Sequence, residues 1–269
     1  MIINGRAIAE ALKEKLKEKM KGESYVLTVF WMGDDPATRQ FISIKRKVAV
    51  LLGVSIKEKR FDESVTTEEL VKEISKVSEE CDGIIVQFPL PSHVDQTKIR
   101  NSIPLSHDVD FISDEAFASL SKESPLLPPV VGAIKEIVDA NNILIQGESV
   151  LVVGEGLLVG RPAALWFSLQ GGEVSTANKN TRELGKLTKK ADILVLGAGS
   201  PELITKDMVQ EGVVIFDAGT SEAEGVLKGD AHVEVSGKAS FFTPVPGGIG
   251  PITVIKIFEN LYKLRQARI

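Results

Sequence analysis

The sequence predicts an α/β protein with two α/β domains flanking a cleft, the second a Rossmann-type doubly wound parallel sheet. Short apolar segments alternate with amphipathic helical segments, which is typical of a parallel sheet covered on both faces. A chain of 269 residues is long for a single hydrophobic core. Residues 121–132, SKESPLLPPVVG, are rich in serine and proline and mark a boundary between the two series of elements.

The composition favours a folded protein that acts on small molecules. A net charge of -5 argues against a nucleic-acid surface. The apolar runs are too short to cross a bilayer, and the first residues lack the pattern of a signal region. These two features predict a cytoplasmic protein without a membrane segment. Cys81 is the single cysteine and excludes an intrachain disulfide. The three histidines are scattered, so no metal cluster is predicted.

The first domain is predicted over residues 1–130. Thr66 and Glu69 form a capping-box pattern that opens a helix. Elements before and after it follow from apolar periodicity. In chain order they are a helix carrying Ile8, Leu12, Leu16 and Met20, a strand at 25–31, a helix from about 37 to 52, a strand at 54–61, the capped helix, and a strand at 83–91.

The second domain is predicted over residues 131–251, and a C-terminal helix, 252–269, is expected to complete the first domain. A helix at 133–143 precedes strands rich in valine, isoleucine and leucine. The predicted strands lie at 149–154, 173–177, 192–199 and 213–219, with a strand-like ASFF at 239–242.

A glycine turn follows the first strand of the second domain. Gly154, Gly156 and Gly160 follow G-x-G-x-x-x-G, one residue longer than the usual dinucleotide fingerprint. Glycines let the backbone turn tightly, and the helix that follows offers amide donors to a phosphate. The turn therefore predicts dinucleotide binding, with a tight strand-to-helix turn that binds nothing as the alternative.

The next strand end bears on the choice between NAD and NADP. Doubly wound folds place an acidic residue here for NAD and a basic residue for NADP. Lys179 and Arg182 follow the strand, and no acid precedes Glu183. The pattern favours a 2′-phosphate, and a solvated helix start is an equally good interpretation.

Four polar residues of the first domain, Lys45, Gln87, Asp108 and Asp110, are candidates for chemistry. Phe41 and Lys45 share a helical stripe, and a partly desolvated lysine has a lowered pKa suited to proton transfer. From spacing alone, a lysine extending from the edge of a core-facing stripe is the simpler interpretation. Gln87 ends a buried strand, where ligands collect in parallel sheets or where an amide caps a loop. Asp108 and Asp110 lie in a loop and bind a donor-rich ligand or cap a turn.

The tract from Thr243 to Val254, TPVPGGIGPITV, has a tightly specified path. It holds three of the 12 prolines within residues 244–251, directly before the last helix. Prolines fix the backbone, glycines let it approach a ligand, and Pro251 suits the first turn of a helix. The tract is predicted to form a wall of the binding site, with a ligand-free hinge as the alternative.

Six segments together resemble the bifunctional methylenetetrahydrofolate dehydrogenase/methenyltetrahydrofolate cyclohydrolase family. They occur in the family's order, and the resemblance covers almost the full length. They are GDDPATRQFISIKRKVAVLLGV, GIIVQFPLP, HDVDF, VVGEGLLVGRP, ADILVLGAGSP and TPVPGGIGPITV.

The resemblance implies specific roles for these residues. Lys45 matches the cyclohydrolase lysine, Gln87 its partner, and Asp110 the aspartate that holds the pterin of the tetrahydrofolate substrate. It also implies NADP, or NAD, as cofactor, folate and dinucleotide along the cleft, and a homodimer, for which strand 173–177 is a possible contact. Implied substrate-binding residues are Phe41, Gly247, Gly248 and Pro251, and implied cofactor-binding residues are Gly154, Gly156, Gly160, Arg161, Pro162, Lys179 and Thr253.

Several positions depart from the family pattern. Phe41 replaces a tyrosine and Phe111 a glycine, which predicts a changed loop path, and the Pro-Cys-Thr-Pro stretch is reduced to LPPVVG. Glu155 and Gly156 replace arginine and serine, bringing a carboxylate near the phosphates. Three hypotheses therefore stand: an enzyme with both activities, a cyclohydrolase-biased or weak dehydrogenase, and a non-catalytic folate- or nucleotide-binding protein.

Overall fold

The chain forms two compact units. The structure, a computed structural model, describes residues 1–223 and 226–268, and residues 224, 225 and 269 lie outside the described part. We call residues 11–120, 124–129 and 254–269 the lysine unit, and residues 1–10, 121–123 and 130–253 the glycine-turn unit.

This division differs at the amino terminus from the domain boundaries expected from the sequence. The first ten residues group with the glycine-turn unit. Ile2 forms a parallel bridge with Phe242, and the Ile3 amide donates to the Phe242 carbonyl at 2.8 Å. Backbone pairing between residues 240 positions apart leaves no periodic pattern in the sequence, so the pattern of apolar residues could not predict it.

The first part of the chain forms a three-stranded parallel sheet with the order β2 (Val54–Phe61), β1 (Tyr25–Met32) and β3 (Gly83–Val86). Residue Ile84 of its third strand also bridges to Asp108. The predicted strand at 83–91 pairs only over its first four residues, because its partner register covers Leu27–Phe30. The elements are α1 (Gly5–Met20), β1 (Tyr25–Met32), α2 (Pro36–Leu52), β2 (Val54–Phe61), α3 (Thr67–Val77), β3 (Gly83–Val86), α4 (Gln96–Asn101) and α5 (Asp114–Ala118).

Local capping fixes the helices of the lysine unit. The Asp35 carboxylate accepts from the Thr38 amide at 2.8 Å, and Gly53 ends α2 in the left-handed region. Thr66 and Glu69 form the predicted capping box of α3. The caps at Asp35 and Gly53 fix where α2 begins and ends, and hence the face on which its polar residues lie.

The rest of the chain forms a five-stranded parallel sheet with the order β10 (Phe241–Phe242), β7 (Val214–Asp217), β6 (Ile193–Leu196), β4 (Ser149–Val153) and β5 (Glu173–Ala177). In this doubly wound order the strand sequence reverses between β4 and β6, which is where such sheets bind ligands. The elements are α6 (Pro129–Asn141), β4 (Ser149–Val153), α7 (Gly160–Leu169), β5 (Glu173–Ala177), α8 (Leu184–Thr188), β6 (Ile193–Leu196), β7 (Val214–Asp217), β8 (Ser221–Ala223), β9 (Val226–Lys228), β10 (Phe241–Phe242) and α9 (Ile249–Gln266).

Strand burial follows position in this sheet. The central strands β4, β6 and β7 are buried almost throughout, and their apolar side chains form the core of the glycine-turn unit. The predicted strand at 173–177 is observed as β5, which lies at an edge of the sheet and is mostly exposed. Across residues 1–223 and 226–268, no helix is long and apolar enough to cross a membrane.

Candidate active site

Lys45 is a buried lysine on α2. Only 8% of its surface is exposed, and its Nζ donates a hydrogen bond to Gln87 Oε1 at 2.7 Å. The two residues are 42 positions apart and meet because α2 follows β1 while Gln87 follows the neighbouring strand β3. The simpler interpretation from spacing, a lysine reaching out to solvent, is wrong.

Gln87 is fixed by two further hydrogen bonds. Its backbone amide donates to the Phe30 carbonyl at 2.8 Å, extending the β1–β3 ladder by one residue. Its Nε2 donates to the Phe88 carbonyl at 3.0 Å. The side-chain oxygen is thereby directed to Lys45, so the amide is an acceptor for the lysine and more than a loop cap.

Burial shifts the pKa of both Lys45 and Asp110, and the charge of each residue opposes the shift in the other. Desolvation lowers the pKa of Lys45, and the negative charge of Asp110 opposes that shift. Burial raises the pKa of Asp110 to about 6, with the lysine charge opposing and the Asp108 charge adding to it. The site thus holds a lysine and a carboxylate that both titrate closer to neutral pH than in water.

In the loop that carries Asp110, the residue with a left-handed backbone conformation is Phe111 and not a glycine. Phe111 has φ of 58°, a region that glycine occupies freely and a phenylalanine rarely. The buried Asp108 carboxylate accepts from the Ile112 and Ser113 amides, the latter at 2.8 Å. These bonds and the burial of the Phe111 ring hold the turn. Substitution by phenylalanine therefore retains a glycine-type backbone conformation at this position.

Phe41 lies one turn before Lys45 on the same helix. The residue is 39% exposed, so part of its ring is open to solvent. A free aromatic face at this position is available to stack on a flat heterocycle.

The glycine turn after β4 packs backbone against backbone. Gly154 has φ of 102°, and a Cβ there would lie 2.3 Å from the Gly197 carbonyl oxygen. A Cβ on Gly160 would lie 1.8 Å from the Gly154 oxygen. Gly156 has open space around its Cβ position. Two of the three predicted glycines are therefore required by packing, and Gly156 is not.

The other predicted cofactor residues of this turn lie around the start of α7. Gly160, Arg161 and Pro162 form its first turn, where the missing proline N–H costs no helical hydrogen bond. Arg161 is exposed and Pro162 is buried. Lys179 is exposed in the turn after β5. These residues surround the carboxyl ends of β4 and β5.

The proline-glycine tract owes part of its composition to packing within the protein. A Cβ on Gly248 would lie 2.6 Å from the Pro244 oxygen, and a Cβ on Gly5 would lie 1.8 Å from the Gly248 oxygen. Gly247 has φ of 104°. Pro251 lies in the first turn of α9, which begins at Ile249 and not at 252 as expected. Thr253 follows, with its hydroxyl donating to the Ile249 carbonyl at 3.1 Å.

Two buried aspartates that sequence reasoning missed organise the loop after β6. Asp230 accepts from the amides of Ala198 at 2.6 Å, Gly199 at 3.2 Å and Ser200 at 2.7 Å. Asp217 accepts from Ala231 and two further amides, and burial raises its pKa to about 6. The available signal in the sequence was the aspartate at the end of the apolar strand VVIFD, because a buried carboxylate rarely lacks hydrogen-bond partners.

Known proteins match both parts of the chain. Residues 3–110 match the tetrahydrofolate dehydrogenase/cyclohydrolase catalytic domain, and residues 128–269 match the NAD(P)-binding domain of the same family. The chain belongs to the tetrahydrofolate dehydrogenase/cyclohydrolase family. The bifunctional protein FolD of Halothermothrix orenii is 35% identical, with 98% of each chain covered.

Solved structures agree with this assignment. The FolD methylenetetrahydrofolate dehydrogenase/cyclohydrolase of Campylobacter jejuni superposes with a TM-score of 0.95 at 34% identity, covering 100% of this chain and 99% of its own. The Trypanosoma brucei enzyme, solved with NADP and an inhibitor, gives 0.93 at 28% identity with the same coverage. The predicted family and fold class are confirmed, and the chain is a dehydrogenase/cyclohydrolase of one-carbon metabolism with a nicotinamide dinucleotide as cofactor. The non-catalytic alternative is not favoured.

Proposed function

We propose that Lys45 exchanges the proton in the cyclohydrolase step, that Gln87 positions it, and that Asp110 holds the pterin. The observation that carries this assignment is the 2.7 Å hydrogen bond between Lys45 Nζ and Gln87 Oε1 in a buried setting. Burial lowers the pKa of Lys45, which enlarges the fraction of neutral amine that can accept a proton.

The reaction needs one proton acceptor and donor. Water adds to the cationic methenyl carbon, and neutral Lys45 Nζ accepts a proton as the new C–O bond forms. The same proton passes to the ring nitrogen as the C–N bond breaks, and the hydroxyl proton of the adduct leaves to solvent as the C=O bond forms, which yields formyl-tetrahydrofolate and one released proton. Asp110, with a pKa of about 6, is mostly ionised at pH 7 and accepts hydrogen bonds from the N–H groups of the pterin.

The dehydrogenase step depends on positioning by the glycine-turn unit. A bound nicotinamide would supply the hydride acceptor for the methylene bridge, so the residues of this unit have to hold and orient it and no strong base is needed. The close packing at Gly154 and Gly160 supports a cradle in which bare backbone approaches the dinucleotide. The Trypanosoma brucei enzyme was solved with NADP, which supports the binding of a nicotinamide dinucleotide, NADP or NAD, by this unit. We assign the cofactor to Gly154, Gly156, Gly160, Arg161, Pro162, Lys179 and Thr253, and the folate to Phe41, Gly247, Gly248 and Pro251.

Assembly and location belong to the same proposal. The edge position of β5 supports a homodimer formed through this strand, and light scattering would then give twice the mass of the chain. The family resemblance supports action in the cytoplasm, which fractionation of cells would test.

The test compares Lys45→Ala with Lys47→Ala. Lys47 is exposed on the same helix and controls for loss of a positive charge. We expect Lys45→Ala to lower the cyclohydrolase rate by roughly 10²–10⁴-fold while the dehydrogenase rate persists and Lys47→Ala stays near wild type. Undiminished hydrolysis in Lys45→Ala would refute the role of the lysine. No reduced cofactor from methylene-tetrahydrofolate with either NAD or NADP would refute the dehydrogenase.

A further inference from the structure

The carboxylate of Glu155 is anchored at the end of the neighbouring strand. Glu155 follows Gly154 in the glycine turn, and its two oxygens accept from Thr176 Oγ1 and Asn178 Nδ2, both at 2.9 Å. Strands β4 and β5 are parallel, with Val153 opposite Ala177. The side chain therefore crosses from the end of β4 to the end of β5.

The partners of this carboxylate are themselves fixed. Asn178 Oδ1 accepts from the Asn180 amide, and the Asn178 amide donates to Thr181 Oγ1, both at 2.9 Å. The Asn178 side chain thus has its oxygen engaged within the turn and its NH₂ group directed at Glu155. The two hydrogen bonds lower the pKa of Glu155, so the group is a carboxylate at neutral pH.

The end of the second strand is where doubly wound folds read the 2′ position of the adenosine ribose. A carboxylate there accepts a hydrogen bond from a 2′-hydroxyl. A 2′-phosphate carries a charge near -2 at neutral pH and is repelled by it. In this chain the acid comes from the glycine turn instead of from the second strand, but its carboxylate lies at the same strand end.

Basic residues nearby oppose this effect only in part. Lys179 and Arg182 follow β5 and are both exposed. Exposed long side chains interact weakly with other charges because water and salt screen them and because they lose entropy on pairing. Glu155 is exposed as well, but its carboxylate is already held in place by its two hydrogen bonds.

We propose that Glu155 determines dinucleotide specificity by binding the adenosine 2′-hydroxyl and repelling a 2′-phosphate, which makes NAD a better ligand than NADP. This inference rests on the proposed dehydrogenase function. NADP remains a ligand of the same site, with lower affinity. The two dinucleotides differ only at the 2′ position, so their affinities measure this contact directly.

The experiment measures binding by calorimetry with NAD, NADP, 5′-ADP and 2′,5′-ADP. We expect wild type to bind NAD at least about fivefold more tightly than NADP, and Glu155→Gln to tighten NADP about tenfold with less than a threefold change for NAD. The two fragments should follow the same order. Glu211→Gln is the control, because Glu211 is exposed at the opposite, amino-terminal end of the strands and its loss changes the net charge equally.

The outcomes separate the two proposals. Tighter binding of NADP than of NAD by wild type, together with normal turnover, overturns the specificity proposal and leaves the dehydrogenase intact. An equal change for both dinucleotides in Glu155→Gln also overturns it. No binding of either dinucleotide, with no reduced cofactor formed, overturns both proposals.

Discussion

The two units build their sites from different parts of the chain. In the lysine unit the groups available for chemistry are side chains, namely Lys45, Gln87 and Asp110, brought together with their charges partly buried. In the glycine-turn unit the turn at the switch point is closely packed backbone, because Gly154 and Gly160 are buried and have no room for a Cβ.

This difference follows from what each unit has to do. Proton transfer needs a side chain with a shifted pKa, and burial that shifts a pKa also costs stability. Binding a large anionic cofactor needs amide groups at close range, which glycine supplies. Substitutions that change a charge should therefore have the larger effect in the lysine unit. Substitutions that add a methyl group should have the larger effect in the glycine-turn unit.

The largest effect on folding is expected from Gly160→Ala. The new Cβ would lie 1.8 Å from the Gly154 oxygen, and a backbone atom cannot yield as a flexible side chain can. We expect a loss of roughly 2–4 kcal/mol in the free energy of unfolding and at least about tenfold weaker dinucleotide binding. Denaturant unfolding and dinucleotide titration measure the two effects.

Gly156→Ala is the matched control for this change. Its Cβ would meet nothing within 4 Å, and its φ is not positive. We expect stability within about 0.5–1 kcal/mol of wild type. Equal losses from both substitutions would show that packing at Gly160 is not the cause, and the comparison of the two units would fail.

A pH-dependent effect is expected from Asp110→Asn in the lysine unit. The native pKa of Asp110 is raised from 3.8 to about 6, so the native state binds more protons than the unfolded state between these values. Wild type should therefore lose stability relative to Asp110→Asn as pH rises from about 4 to about 6, by at most about 3 kcal/mol. Urea unfolding at pH 4, 5, 6 and 7 measures the difference.

Glu115→Gln controls for the removal of one carboxylate in the same unit. Glu115 is exposed, so its variant should not reproduce the pH profile of Asp110→Asn. A constant difference between wild type and Asp110→Asn across this pH range would contradict the raised pKa. Lower folate turnover together with higher stability at pH 7 would connect the burial of Asp110 to its function.

Local signals predicted most of the fold. The strand at 54–61 and the capping box of Thr66 and Glu69 are observed as expected, because both depend on residues close in sequence. Periodicity could not show that β3 ends at Val86, which depends on the length of its pairing with β1.

The sites were predictable to the extent that they depend on residue type and order. The Lys45–Gln87 bond joins residues 42 positions apart, and helical spacing alone favoured a solvated lysine. Asp230 accepts hydrogen bonds from amides about 30 positions away, and no local sequence pattern indicates these bonds. The left-handed Phe111 runs against residue preference, so the glycine-type conformation is visible only in the structure.

The smallest effect is expected from Phe41→Tyr, which adds one hydroxyl to the exposed ring one turn from Lys45. Because the residue is 39% exposed, stability should change by less than about 0.5 kcal/mol. One new hydrogen bond near the reacting groups is worth roughly 0.5–1.5 kcal/mol, so kcat/KM of the cyclohydrolase should rise about two- to tenfold, as a steady-state assay would measure.

Phe41→Leu separates the ring from the hydroxyl. If the ring stacks on the folate, Phe41→Leu should raise KM for methenyl-tetrahydrofolate several-fold, because leucine keeps an apolar side chain without the flat face. Unchanged kinetics in both variants would mean that this exposed face does not contact the substrate. The lysine unit would then depend on Lys45, Gln87 and Asp110 alone, and the difference between a unit that reacts through buried charges and one that binds through bare backbone would be sharper.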